Sequence, residues 1–95
     1  MTKAKNDTLR VVVFKEGDIW IAQALEHDIC AQGADLDAVT ERLQEAVAAE
    51  IGLAIANGED PLADIQPAPS NFFRMWDERS RFTTKGERLQ LALCA

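Results

Sequence analysis

Residues 18–58 read DIWIAQALEHDICAQGADLDAVTERLQEAVAAEIGLAIANG, and this stretch decides the fold. It parses as a strand, a polar turn, a shorter strand and a long amphipathic helix. The helix is the clearest part. Asp35 is an N-cap residue whose carboxylate can accept free N–H groups of the first turn, and Asp37 adds negative charge where the helix dipole favours it. Leu36, Val39, Leu43, Ala46, Val47, Ile51, Ala54 and Ile55 recur at three- and four-residue steps, one apolar helical face. Glu41, Arg42, Gln44, Glu45 and Glu50 fill the solvated positions. Asn57-Gly58 is a left-handed stop, and Pro61 prevents resumption. Residues 35–56 therefore form a rod of about 33 Å that needs a sheet to cover its apolar face.

The sheet comes from the segments before the helix. Asp18 to Leu25 is rich in β-formers, with Ile19, Ile21, Gln23 and Leu25 on one parity and Trp20, Ala22 and Ala24 on the other. Both parities are largely apolar, so this strand is central or covered on both sides. Residues 9–14, with Val11, Val12 and Val13 in a row, form the preceding strand. Lys15-Glu16-Gly17 joins the two as an antiparallel hairpin. Glu26-His27-Asp28 is a polar connection to a third short strand, 29–33. A three-stranded antiparallel sheet with one helix across it is an α+β arrangement.

Outside this unit, residues 1–8 read as a flexible tail, and residues 9–95 as one domain with a C-terminal extension, 59–95. Residues 59–70 hold all three prolines, Pro61, Pro67 and Pro69, and read as an extended wrap in which only 62–65 could be a short edge strand. A second short helix spans 70–79, capped by Ser70 or Asn71. Phe72, Met75 and Trp76 share one of its faces with Arg79. That face either closes the core or, with Phe73, forms a protein interface. Residues 81–87 are polar. The last segment, 88–94, alternates as a half-buried strand, with Leu89, Leu91 and Leu93 on one face and Arg88, Gln90, Ala92 and Cys94 on the other. It adds to the sheet of its own chain or to that of a second copy, making a homodimer or higher oligomer. The candidate partner interface is Phe72, Phe73, Trp76, Leu89, Leu91 and Leu93.

Composition narrows the function. The chain has 95 residues, 16 acidic and 10 basic, for a formal net charge of −6. That opposes a broad nucleic-acid-binding face and suits docking on a basic protein. No apolar run reaches membrane-spanning length and no signal-peptide pattern is present, so the expected location is cytoplasmic, without membrane contact. Cys30 and Cys94 are then reduced thiols, too distant in sequence to make a metal knuckle.

Templates for chemistry find little. The five glycines are scattered, so no phosphate-binding loop exists. A metal nuclease needs several carboxylates converging from strand and helix ends, and the first strand has none. Asp18, Glu26, Asp28 and Asp35 stand at turns. His27, the only histidine, lies near Cys30; the pair could be a nucleophile and base or a small-ligand site, although a solvated turn histidine and a packed thiol are the better account. Arg74, Arg79, Arg81, Lys85 and Arg88 interleave with Trp76 and Phe82, a pattern compatible with RNA contact. Neither cofactor nor metal is expected.

The order of Leu9-Arg-Val-Val-Val-Phe14, Gly17-Asp-Ile-Trp-Ile-Ala22, Cys30-Ala-Gln-Gly33 and Leu36-Asp-Ala-Val-Thr-Glu-Arg-Leu-Gln-Glu-Ala46 resembles the HicB-like antitoxin family over about residues 9–55. The resemblance implies a partial, degenerate RNase H-like fold in which a further strand returns beside the first. It implies a non-catalytic protein that neutralises a small basic RNase toxin by covering its active face. The family's proline and glycine before the small-residue strand are replaced here by Leu25-Glu-His-Asp-Ile29. Its C-terminal DNA-binding region has no recognisable counterpart, so DNA binding is not expected. The competing expectations are a stand-alone scaffold serving self-association, and a small-ligand protein using the 26–30 turn.

Overall fold

A computed structural model describes residues 8–78, 81–85 and 89–94. Strands β1 (Leu9–Glu16), β2 (Ile19–Ala24) and β3 (Cys30–Gly33) precede helix α1 (Leu36–Ala56). Helix α2 (Ser70–Asp77) and strands β4 (Arg81–Lys85) and β5 (Leu89–Leu93) follow. The architecture is α+β, with a five-stranded mixed sheet in the order β3-β2-β1-β5-β4. β1 pairs antiparallel with β2 and parallel with β5, in register Leu9 with Leu89 and Val13 with Leu93. The last strand therefore completes its own chain's sheet. The tail residues 1–7, and 79, 80, 86–88 and 95, lie outside the described residues.

The alternation in β1 decides how the layers stack. Val11 and Val13 face one side and Val12 the other, and all three are fully buried. On the first side they join Ala22, Ala24, Leu89 and Leu91 beneath Val39, Leu43 and Val47 of α1. On the second, Val12, Leu25 and Ala92 are covered by Trp76, with Phe14, Phe72, Phe73 and Met75 packed around them. The sheet is thus covered on both faces, α1 on one and α2 on the other. Each fully buried Val or Leu contributes about 1.5–3 kcal/mol, an upper range because the unfolded chain already buries some surface.

Local chemistry sets the element ends. Glu16 pairs with Ile19, so the hairpin loop is only Gly17-Asp18, and Gly17 takes φ 61°. β1 therefore runs two residues further into the turn than the 9–14 reading, while β2 opens at Ile19 rather than Asp18. Asp35 caps α1, accepting a 2.7 Å bond from the Ala38 N–H. At its other end the Gly58 N–H donates to the Ile55 carbonyl and the Glu59 N–H to the Ala54 carbonyl, with Gly58 at φ 75°. This is a Schellman closure, which requires a left-handed residue at that position.

Four expectations change. Residues 81–85, read as a polar connection, form β4, the edge strand beside β5; polar and charged residues are what an edge strand tolerates, and Phe82, Thr83 and Thr84 favour extended backbone. Residues 62–65 form a turn, not an edge strand. The N-cap of α2 is Pro69, which makes no side-chain cap bond, rather than Ser70 or Asn71; packing holds this helix. Lastly, Ile55, read as part of the apolar face of α1, is 63% exposed, and Leu53, outside that face, is 60% exposed. A helix of 21 residues runs about 32 Å, whereas β2 and β3, with 6 and 4 residues, span about 13–20 Å. The last turns of α1 extend past the strands that cover its beginning.

Two glycines test this packing. A Cβ at Gly33 would stand 2.7 Å from the Val39 nitrogen and 2.9 Å from its Cα, both backbone atoms of α1. Gly33→Ala is expected to destabilise by about 1–3 kcal/mol. At Gly52, inside α1, a Cβ meets nothing within 4 Å, so Gly52→Ala should stabilise by about 0.5–1 kcal/mol. Thermal melts should separate the two in opposite directions from wild type, each kcal/mol moving Tm by about 4–8 °C.

Candidate functional site

The 26–30 turn is built into the fold. The Leu25 N–H donates to the Arg10 carbonyl, and the Leu25 carbonyl accepts from the Ala68 N–H at 2.9 Å. The Asp28 N–H donates to the Gln66 carbonyl at 2.7 Å. The proline-rich wrap is thereby laced to this turn, and the side chains add to the lacing. His27 Nδ1 lies 2.7 Å from the Ile65 carbonyl; a carbonyl only accepts, so the Nδ1–H donates. Gln23 Nε2 donates to Asp28 Oδ1 at 2.8 Å. Glu26 accepts from the Arg10 backbone N–H at 2.9 Å and from Arg10 Nε at 2.5 Å.

Arg10 is the centre of a second cluster. Its guanidinium carbon stands 5.4 Å from the Phe73 ring centroid and 5.6 Å from that of Trp76. The cation is held between Glu26 and two aromatic faces, on the side of the sheet that α2 covers. Phe14 and Phe72 stack nearby with centroids 6.2 Å apart. Cys94 lies beside α2, its Sγ 3.7 Å from the Met75 carbonyl, and burial raises its thiol pKa above the ordinary value. Phe14, Phe72, Met75 and Cys94 border an open groove of about 580 Å³ that also touches Lys15 and Trp20.

The residues singled out from the sequence separate into two groups. Phe72 and Phe73 are half-buried, and Trp76 is 8% exposed beneath α2. Leu89 and Leu91 are 1% and 3% exposed in the core under α1, and Leu93 is partly buried there. Leu89 and Leu91 are therefore core residues of the folded monomer rather than a partner interface, because β5 lies between β1 and β4. The turn acids are dispersed: Asp35 caps α1, Glu26 holds Arg10 and Asp28 holds Gln23. Among the described residues, no three of His, Cys, Asp and Glu gather as metal ligands, and no helix is long and apolar enough to cross a membrane. Arg79 and Arg88 lie outside the described residues.

The surface that sequence reasoning missed is at the far end of α1. Leu53, Ala54, Leu62 and Ile65 line a small depression of about 80 Å³ together with Glu50, Glu59, Asp60 and Asp64. Leu62 has φ 65°, the left-handed region, at a cost of about 1–2 kcal/mol for a residue with a Cβ. Its side chain packs against the α1-side core, and that burial offsets the cost. The strip had a legible sign: residues 43–73 contain no Lys, Arg or His.

Two measurements check these contacts. A double-mutant cycle of Arg10→Met and Glu26→Gln in urea should give a coupling of about 0.5–1 kcal/mol that shrinks with salt, since both side chains are about one-third exposed. With a thiol reagent at neutral pH, exposed Cys30 should react first. Cys94 should react slowly and accelerate only at higher pH than an ordinary thiol, because its raised pKa leaves less thiolate at any given pH. Cys30→Ser should leave only the slow phase. Compared with protein-family models, with curated proteins and with solved structures, the chain gives no match.

Proposed function

We propose that this chain is a non-catalytic binding protein of the HicB-like antitoxin type, acting by protein–protein contact on a small basic RNase toxin. The observation that carries the reading is how the 26–30 turn is used. Glu26, His27 and Asp28 are each spent on holding Arg10, the wrap and Gln23. Large apolar side chains meanwhile remain at the surface, Ile19 at 45% exposed and Leu53 and Ile55 higher. Such a body offers surfaces rather than a reaction centre.

Two further features support the same reading. The last strand runs parallel beside β1, the arrangement that the resemblance implies. The net charge of −6 suits a basic partner and favours fast, salt-sensitive association. Two copies acting together in the cytoplasm are part of the proposal.

The test is a tagged pull-down from the source cell followed by a growth assay. A small basic protein should co-purify; its expression alone should arrest growth through RNA cleavage, and co-expression of this chain should restore growth. A pull-down without such a partner, or arrest that co-expression leaves unchanged, refutes the reading.

A further inference from the structure

Residues 43–73 carry five acidic side chains, Glu45, Glu50, Glu59, Asp60 and Asp64, and no basic one. The whole chain has 16 acidic and 10 basic residues, so nearly all of its net negative charge lies in this stretch and the remainder is close to neutral. The fold then brings Glu50, Glu59, Asp60 and Asp64 together with Leu53, Ala54, Leu62 and Ile65 in the lining of the depression at the end of α1. The last turn of α1 holds no basic residue, so the negative end of the helix dipole adds to the field there. Leu53 stands in the same place with 60% of its surface open.

Size decides what fits. A depression of about 80 Å³ has room for the end of one apolar side chain, whereas small-molecule sites run to about 300–1,000 Å³. A depression lined by both apolar and acidic residues suits an amphipathic segment with an apolar stripe and Lys or Arg beside it. We propose that the end of α1 and the 59–65 turn form a cradle, lined by both acidic and apolar residues, for a basic amphipathic helix of a protein partner, one of whose apolar side chains sits against Leu53, Ala54 and Leu62. The assignment rests on the reading of the chain as a binding protein and specifies where and by what chemistry the partner docks.

The probe is a fluorescein-labelled Leu/Lys peptide of about five helical turns with its leucines at helical period, and its scrambled isomer of identical composition. Anisotropy titrations use the full chain. The patterned peptide should bind about tenfold more tightly than the scrambled one, an energy near 1.4 kcal/mol. Leu53→Ser and the pair Asp60→Lys with Asp64→Lys should each remove that advantage. Ile55→Ser, an equally exposed position on the same helix that does not line the depression, should retain it. All of these sites are exposed, so melting curves should stay close to wild type. Equal binding of both peptides, no binding of either, or full affinity in the Leu53 and Asp60/Asp64 variants overturns the proposal. It is overturned too if light scattering finds an assembly that Leu53→Ser dissociates, since the occupant is then a second copy. If peptide binding behaves as stated while toxin neutralisation fails, the cradle stands and only the antitoxin reading falls.

Discussion

Every layer of this molecule answers to the burial of β1. Val11, Val12 and Val13 are all fully buried, yet neighbouring strand residues point to opposite faces. One cover cannot hide all three. α1 shields Val11 and Val13, and α2 with its aromatic side chains shields Val12. The two remaining sides of the strand are hydrogen-bonded edges, filled by β2 and by the parallel return of β5. Losing either cover would expose branched apolar surface that a chain of 95 residues cannot readily re-bury, because small domains have little stability in reserve.

The chain has to pass from the α1 face to the α2 face, and residues 59–69 make that passage. Their prolines preclude a helix, so backbone groups must find partners elsewhere. They find them at the 25–28 turn, where Gln66 and Ala68 join Asp28 and Leu25, and where Ile65 accepts from His27. The same turn sends Glu26 to Arg10, which stands under Phe73 and Trp76. One short polar turn thus ties together β1, the wrap and α2, and gives Glu26, His27 and Asp28 each a hydrogen-bond partner. The histidine and two acids of residues 26–28, close to Cys30, offered one conceivable site in the sequence; in space Glu26, His27 and Asp28 serve as fasteners.

Length mismatch supplies the exposed part of the molecule. α1 is longer than the strands beneath it, so Leu53 and Ile55 emerge beyond the sheet. Turn 61–64 closes against the overhang, with Leu62 held in left-handed backbone by its own packing. Apolar surface left open in a small domain marks contact with another molecule more readily than scattered single side chains do. The charge of the segment determines which kind of molecule suits it.

The sequence by itself determined most of the secondary structure, because the signals are local. Three- and four-residue spacing marked α1, Asp35 and Gly58 marked its ends, and alternation marked β5. The α+β class followed from these. Polar β4 carried no apolar alternation, so an edge strand that exists only through its pairing with β5 was not legible. The tertiary structure alone decided that β5 returns to its own chain, which moved Leu89 and Leu91 from candidate interface to core. It alone decided that the aromatic helix covers the second face of the sheet and that the acids of residues 50–64 converge. Periodicity states which face of an element is apolar; only the packed chain states what meets that face, since the meeting joins residues far apart in sequence.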